Sequence, residues 1–241
     1  MEQIKNIYKA DFPQEVFIRN IIAESAIFFF QNYVLPNSDK NLRVLDVGCG
    51  KQPFRSLFEE MGFQYVGLDY KQNQYQNVEV VEAIDTDFLH KYQHIEAFDI
   101  VVCTEVLEHV ALWEKAFENI AHLTKPDGKV FITCPHFYPL HEEPYDFWRP
   151  TTHTLRYFAS KYNFEILHLS QIGSAWDVLG TLLNNTSFYI KSNKIKDRIL
   201  FRIFNFLYTH LKKMLLKNTI QKKIGVHSQV YLSNIAVLKK L

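Results

Sequence analysis

Short apolar runs punctuated by turn formers recur through the middle of the chain. Arg43–Val47, Tyr65–Asp69, Val78–Ala83, Phe98–Cys103, Lys129–Thr133 and Phe164–Leu169 each read as strands rich in β-branched residues. Between them, Phe54–Met61 reads as a short helix closed by Gly62, and Leu112–Leu123 as a helix ended by Lys125-Pro126-Asp127-Gly128. Upstream, residues 14–34 are apolar and aromatic at helical spacing, with Asp11 as the N-cap and Pro13 near the first turn. Alternating strand and helix signals predict an α/β protein built on a parallel sheet.

After the fifth run the pattern changes. A polar and aromatic loop covers Pro135 to Arg149, and a helix opens at Thr151 or Thr152. Roughly 55 residues then separate the sixth strand from a last alternating segment, Gln229–Leu238, too many for a hairpin and too many for a structureless loop, so a helical insertion is expected there. The resulting plan is one domain over 1–241. It comprises a helix at 14–34, a core at 40–170, an insertion at 174–226 and a closing strand at 229–238.

Composition adds little until charge is resolved along the chain. With 47% hydrophobic and 15% aromatic residues the chain is globular, and its longest aliphatic or aromatic run, Ala26–Phe30, is far short of a membrane span. The absence of a basic, apolar leader predicts a cytoplasmic protein. Cys49, Cys103 and Cys134 each fall near a strand end without metal-ligand spacing and read as reduced, buried thiols. Net charge is only +1, yet residues 187–225 hold ten bases and a single acid, Asp197. An anionic partner for that segment is the natural inference.

Candidate chemistry starts at Gly48 and Gly50. Gly48 permits a sharp turn where the first strand stops, Gly50 permits close backbone approach, and Asp69 ends the second strand 21 residues after Gly48. A dinucleotide fingerprint would place a third small residue at position 53, where Pro53 stands. The segment Asp46-Val47-Gly48-Cys49-Gly50 instead resembles motif I of the class I S-adenosylmethionine-dependent methyltransferases, with Lys51 departing from the small residue often found next. Phe98 to Val110 resembles motif IV of the bacterial members, and the likeness continues through Lys125-Pro126-Asp127-Gly128 into the fifth strand.

This resemblance implies a Rossmann-like seven-stranded sheet with helices on both faces, Gln229–Leu238 being the antiparallel last strand. It implies S-adenosylmethionine as cofactor, held by Asp46, Gly48, Cys49, Gly50, Asp69, Tyr70, Thr104 and Glu105. Asp85 is the candidate for the adenine amine, with Asp87 and Glu82 as alternatives; a helix cap is the plainer role for Asp85. Glu105, Glu108 and His109 have a spacing associated with a divalent cation in similar ubiquinone-pathway O-methyltransferases. Acids at a helix start account for it equally simply, and no metal is assigned.

The loop after the fifth strand lies over the methyl donor in such a fold. His141 and His136 are the candidate bases, and Arg149, Tyr145 and Trp148 the candidate acceptor contacts. An Asp146–Arg149 ion pair with a core Trp148 is the structural alternative. His141-Glu142-Glu143-Pro144-Tyr145-Asp146-Phe147-Trp148-Arg149 resembles a subgroup found among glycan-assembly enzymes. The expected reaction is therefore O-methylation of a sugar, glycan or lipid-linked saccharide. The alternatives are a quinone-like phenol as acceptor, or a binding module without turnover. Residues 194–217 suit peripheral contact with the inner face of a membrane, or packing on their own domain or a second subunit. Their Leu, Ile and Phe content argues against nucleic acid.

Overall fold

The apolar runs assemble into one seven-stranded sheet: β1 (Arg43–Val47), β2 (Gln64–Asp69), β3 (Val80–Val81), β4 (Phe98–Thr104), β5 (Thr124–Pro135), β6 (Phe164–Ile172) and β7 (Ser233–Lys240). The computed structural model describes residues 2–34, 42–92, 96–226 and 229–241; Lys40 and Asn41, where the expected core begins, fall outside them. Strand order is β3-β2-β1-β4-β5-β7-β6, and β7 runs antiparallel to both neighbours.

Both faces of the sheet are covered, so adjacent strand residues enter different cores. Val44, Ile100, Val102 and Phe131 pack with α1 (Glu2–Ile7), α2 (Val16–Tyr33) and α3 (Arg55–Glu60), where Phe29 stacks on Phe131 at 4.5 Å. Leu45, Val47, Val101 and Cys103 face α4 (Trp113–Leu123) and α5 (Thr152–Lys161). That double burial is why these strands read as continuous apolar runs.

Of the boundaries that differ from expectation, four have a local reason. Asp11 is not an N-cap: the chain enters α2 through a 3-10 turn at Pro13–Glu15, with Phe12 in the cap position and no side-chain cap. β3 pairs over two residues only, as an edge strand can. β5 starts at Thr124 and takes in the Lys125–Gly128 turn through a register shift against β4. β7 begins four residues late, because Leu232 is already bonded outside it, its N–H to Ile172 and its carbonyl to His136 and Phe137.

The segment between β6 and β7 is helical. α6 (Ala175–Asn185) starts with a Ser174–Asp177 capping box and packs on α2 where Gly180 meets Phe17. A Cβ at Gly180 would lie 2.2 Å from the Phe17 ring, so glycine permits that contact. α7 (Ile195–Leu215) buries no residue, and α8 (Asn218–Gln221) follows it. Among the described residues no helix is long and apolar enough to cross a membrane.

Candidate cofactor crevice and acceptor loop

Strand order reverses between β1 and β4, and the carboxyl ends of β1, β2, β4 and β5 open on one side there. Gly48 adopts φ +67° and donates its N–H to the Leu68 carbonyl (2.8 Å), turning the chain back over β2. A Cβ on Gly48 would lie 2.3 Å from Val106 Cγ2. Gly50, at φ +49°, has nothing within 4 Å of a built Cβ, so its backbone fronts open space. Its N–H donates to Asp69 Oδ2 (2.9 Å), and Asp69 Oδ1 accepts from Lys71 N–H (3.3 Å). Asp69 thus braces the glycine turn while ending β2 in the crevice.

The two glycines separate experimentally. Gly48→Ala adds both a left-handed non-glycine residue and a clash with Val106, and is expected to cost about 2–4 kcal/mol. Gly50→Ala meets no atom and is expected to cost only about 1 kcal/mol, but to weaken cofactor binding by intruding where the ligand approaches. Thermal melts with and without S-adenosylmethionine distinguish the two effects; equal melting temperatures for both variants would refute the assignment.

Other expected cofactor residues occupy less direct positions. The Cys49 thiol is buried, facing Gly67 and the Gln52 amide, and burial with the nearby Asp46 and Asp69 pushes its pKa up to about 12. Only its backbone is available to the turn. Asp46 lies beneath the loop, where burial raises its carboxyl to about 7 and the hydrogen bond donated by Tyr65 pulls the other way. Tyr70 is exposed just past β2, with Lys71 Nζ 4.7 Å above its ring. Asp85 Oδ2 accepts from Leu112 N–H (3.2 Å) at the start of α4, the helix-cap alternative.

At the end of β4 the sequence patterns missed a partner. Tyr8, just past α1, is buried against the Phe54 ring (5.9 Å), and its hydroxyl reaches the Thr104 side chain. Ile4 and Tyr8 at i, i+4 are the sequence signal that this short helix buries one side and brings Tyr8 to the end of β4. Glu105 follows at φ +54°, and its Oε1 is enclosed without a partner. Burial raises the Glu105 carboxyl to about 7, against the pull of Thr133, Arg149 and Arg19. An orphaned acceptor at the end of β4 and the open face of Gly50 at the end of β1 fit a crevice built for a polar ligand.

Glu108 is fully buried, and burial together with the charge of Glu105 pushes its carboxyl well above the ordinary range. Its Oε1 lies 3.8 Å from His109 Nε2. His109 Nδ1 sits 2.7 Å from the Tyr145 carbonyl, which assigns a proton to Nδ1. Glu108, His109 and His141 bring ligand atoms within 4.8 Å of one another. The expected trio of Glu105, Glu108 and His109 is thus revised. Leu107–His109 is a 3-10 turn and Glu105 precedes it in the left-handed region, so α-helical spacing does not govern the group.

The loop itself is built around a buried acid. Asp146 (side chain 1% exposed) receives Arg149 on both oxygens, at 2.6 and 2.7 Å, and the His141 backbone N–H at 3.0 Å. Against the cost of burial, these donors hold Asp146 at about 2. Arg149 also donates to the carbonyls of Tyr138, Pro139 and Trp148, so its guanidinium is engaged within the loop. The Asp146–Arg149 ion pair, the structural alternative for this loop, is formed. Trp148 is half exposed rather than core, its indole N–H donating to the Val110 carbonyl.

The structure gives the two candidate bases different surroundings. His141 Nδ1 lies 3.2 Å from Asp146 Oδ2 and 3.2 Å from the Pro139 carbonyl, which places the proton of the neutral ring on Nδ1 and leaves Nε2 as the acceptor. Burial lowers the His141 pKa, outweighing the opposing pull of Asp146, so the ring is neutral near pH 7. His136 bonds the Pro150 carbonyl (2.9 Å) through Nδ1 and stacks flat on Tyr231 at 4.2 Å. His136 is a strut between the loop and the approach to β7. A cavity of about 460 Å³ adjoins the loop, lined by Leu112, Trp113, Trp148, Arg149 and Phe158 among others.

Strand order, the antiparallel β7, the glycine turn and Asp69 together define a Rossmann-like methyltransferase fold. The chain belongs to the class I S-adenosylmethionine-dependent methyltransferase family: a profile described as a methyltransferase domain matches residues 21–169. S-adenosylmethionine is the cofactor of that family, as the orphaned Glu105 oxygen and the open face of Gly50 suit.

Curated relatives include the ubiquinone biosynthesis O-methyltransferases of Yersinia enterocolitica (34% identical over 116 residues, 42% of this chain and 47% of that protein) and Salmonella paratyphi A (32% over 100 residues, 38% and 41%). The chain therefore spans under half the length of these relatives. Among solved structures, coclaurine N-methyltransferase bound to N-methylheliamine and SAH aligns with a TM-score of 0.53 at 16% identity, covering 91% of this chain and 70% of that one. Phosphoethanolamine N-methyltransferase 2 of Haemonchus contortus, in complex with S-adenosyl-L-methionine, aligns at 0.50 and 17% identity, covering 90% and 52%. At such identities the likeness shows the fold alone.

Proposed function

We propose that the protein methylates an oxygen of a small hydroxylated acceptor, with His141 as the base and a quinone-like phenol as the acceptor class. The observation that carries the reading is a histidine held through Nδ1 by Asp146 and the Pro139 carbonyl, on the loop that follows β5. When bound, S-adenosylmethionine supplies a sulfonium methyl for in-line attack; Asp69, the Gly48–Gly50 backbone, Thr104 and Glu105 are the residues to hold it. Tyr8 and α1 exclude water from above. His141 Nε2 takes the proton from the acceptor hydroxyl, and Asp146 steadies the imidazolium that results. The His141 side chain is 32% exposed, so the proton passes on to solvent.

Base strength favours the phenol. A histidine whose pKa is lowered is a weak base, matched to a phenol near pKa 10 better than to the much less acidic hydroxyl of a saccharide. The names of the curated relatives point the same way. Support for a saccharide rests on the His141–Arg149 string. A second use of the same residues is favoured by the convergence of Glu108, His109 and His141: a divalent cation held there would activate the acceptor in place of a histidine base.

Methyl transfer from labelled S-adenosylmethionine to panels of catechols and saccharides, with and without chelator, tests these readings. Turnover of catechols insensitive to chelator is expected. Saccharide turnover alone would reverse the acceptor assignment, chelator-sensitive turnover would transfer the activating role to a cation, and cofactor binding with no turnover would mark a binding module.

A further inference from the structure

The insertion presents a surface that methyl transfer does not use. α7 is tied down along one side: the Tyr208 hydroxyl and Lys212 Nζ both donate to the Leu183 carbonyl, and Phe188 packs edge-on against Phe204 and Tyr208. Asp197, Phe201, Asn205, Tyr208, Lys212 and Leu215, which recur at helical spacing, are the half-buried residues of that side. The opposite side faces solvent and is mainly apolar, with His210 against Phe206 and Lys196 near its start. Ile199, Leu200, Ile203, Phe206, Leu207 and Leu211 are each 50–65% exposed. A cluster of this kind on a soluble chain marks an interaction surface.

Charge decides what covers it. Arg198, Arg202 and Lys213 share one flank of the apolar face, and Lys217, Lys222 and Lys223 are exposed beyond its C-terminal end. A second copy laid on the face would set these bases against their own equivalents, with Asp197 as the one acid of the segment and turned inward. A nucleic acid would need bases across the face rather than along its rim. An interfacial helix needs what is present: apolar side chains to sink below the headgroups and bases at their level to meet anionic lipid.

We propose that α7 lies in the interface of an anionic phospholipid bilayer, its outer apolar face among the acyl chains and the Arg198–Lys213 flank on the headgroups. The helix docks without spanning. The helix is joined to the rest of the fold through α6, which packs on α2. The inference is independent of which acceptor is methylated.

Vesicle flotation of the full chain tests it. The protein is expected to float with vesicles of phosphatidylcholine and phosphatidylglycerol at low salt, to be released by high salt, and to ignore pure phosphatidylcholine. Ile203→Asp with Phe206→Asp should reduce partition roughly 100-fold, and Arg198→Ala with Arg202→Ala roughly 30-fold. Because these side chains touch solvent, circular dichroism and cofactor affinity should match wild type in both variants. Failure of the wild type to float with the anionic vesicles, or flotation of both variants like wild type, would overturn the proposal. So would a solution dimer that Phe206→Asp converts to monomer.

Discussion

His141→Ala is expected to lower kcat by about 10²–10⁴-fold while leaving S-adenosylmethionine affinity unchanged, because the role proposed for the ring is on the acceptor proton and not on the donor. The pH profile carries the more diagnostic result. Burial depresses the His141 pKa more than Asp146 raises it, and the neutral ring is the active form. Activity is therefore full at neutral pH and falls as pH drops through a midpoint below the ordinary 6.5. Asp146→Asn removes the one carboxylate that raises this pKa. The acid limb then moves to still lower pH and kcat falls, with the Pro139 carbonyl left to fix the ring. His136→Ala, by contrast, removes a stacked strut, so its effect is on melting temperature, with kcat within a few-fold of wild type. Steady-state kinetics across pH decide the matter: full turnover in His141→Ala would end its assignment as base.

The cofactor half of this site is legible in the sequence because strand burial and glycine geometry are local. β1 has the expected ends, since Val44, Leu45 and Val47 fill two cores and Gly48 must leave the strand at positive φ. Asp69 is found by spacing because register places the end of β2 beside Val47. Other roles were hidden by distance or by sharing. Tyr8 meets Thr104 across more than ninety residues, a contact that no periodicity announces. Cys49 lies within the motif, yet its thiol turns away toward Gly67, because motif I selects backbone shape at that position. His109 and His141 pair at 4.8 Å between rings only after the loop folds back on Glu108, whose carbonyl accepts the N–H groups of Phe147 and Trp148. Arg149 is legible as chemistry but not as role: a guanidinium three residues from Asp146 is as well placed to close a loop as to grip a ligand.

Arg149→Ala is accordingly expected to destabilise the fold as well as the reaction. The substitution strips Asp146 of both charge-assisted hydrogen bonds at a site where the carboxylate is 1% exposed, and frees the carbonyls of Tyr138, Pro139 and Trp148. Removing one partner of such a pair costs about 3–5 kcal/mol, which for a chain of this size lowers the melting temperature by roughly 6–20 °C. The sign of the pH dependence follows from Asp146, whose pKa of about 2 lies below its ordinary 3.8. Its stabilising contribution is present above 3.8 and is lost as pH falls through about 2, so wild type and variant should converge in stability at acid pH and separate at neutral pH. If Arg149 instead gripped the acceptor, Arg149→Ala would raise KM at unchanged melting temperature. Loop pinning predicts the reverse: a lower melting temperature, a lower kcat through misplaced His141, and recovery of part of the stability when Asp146→Ala is added, since the second change removes the unpaired buried charge.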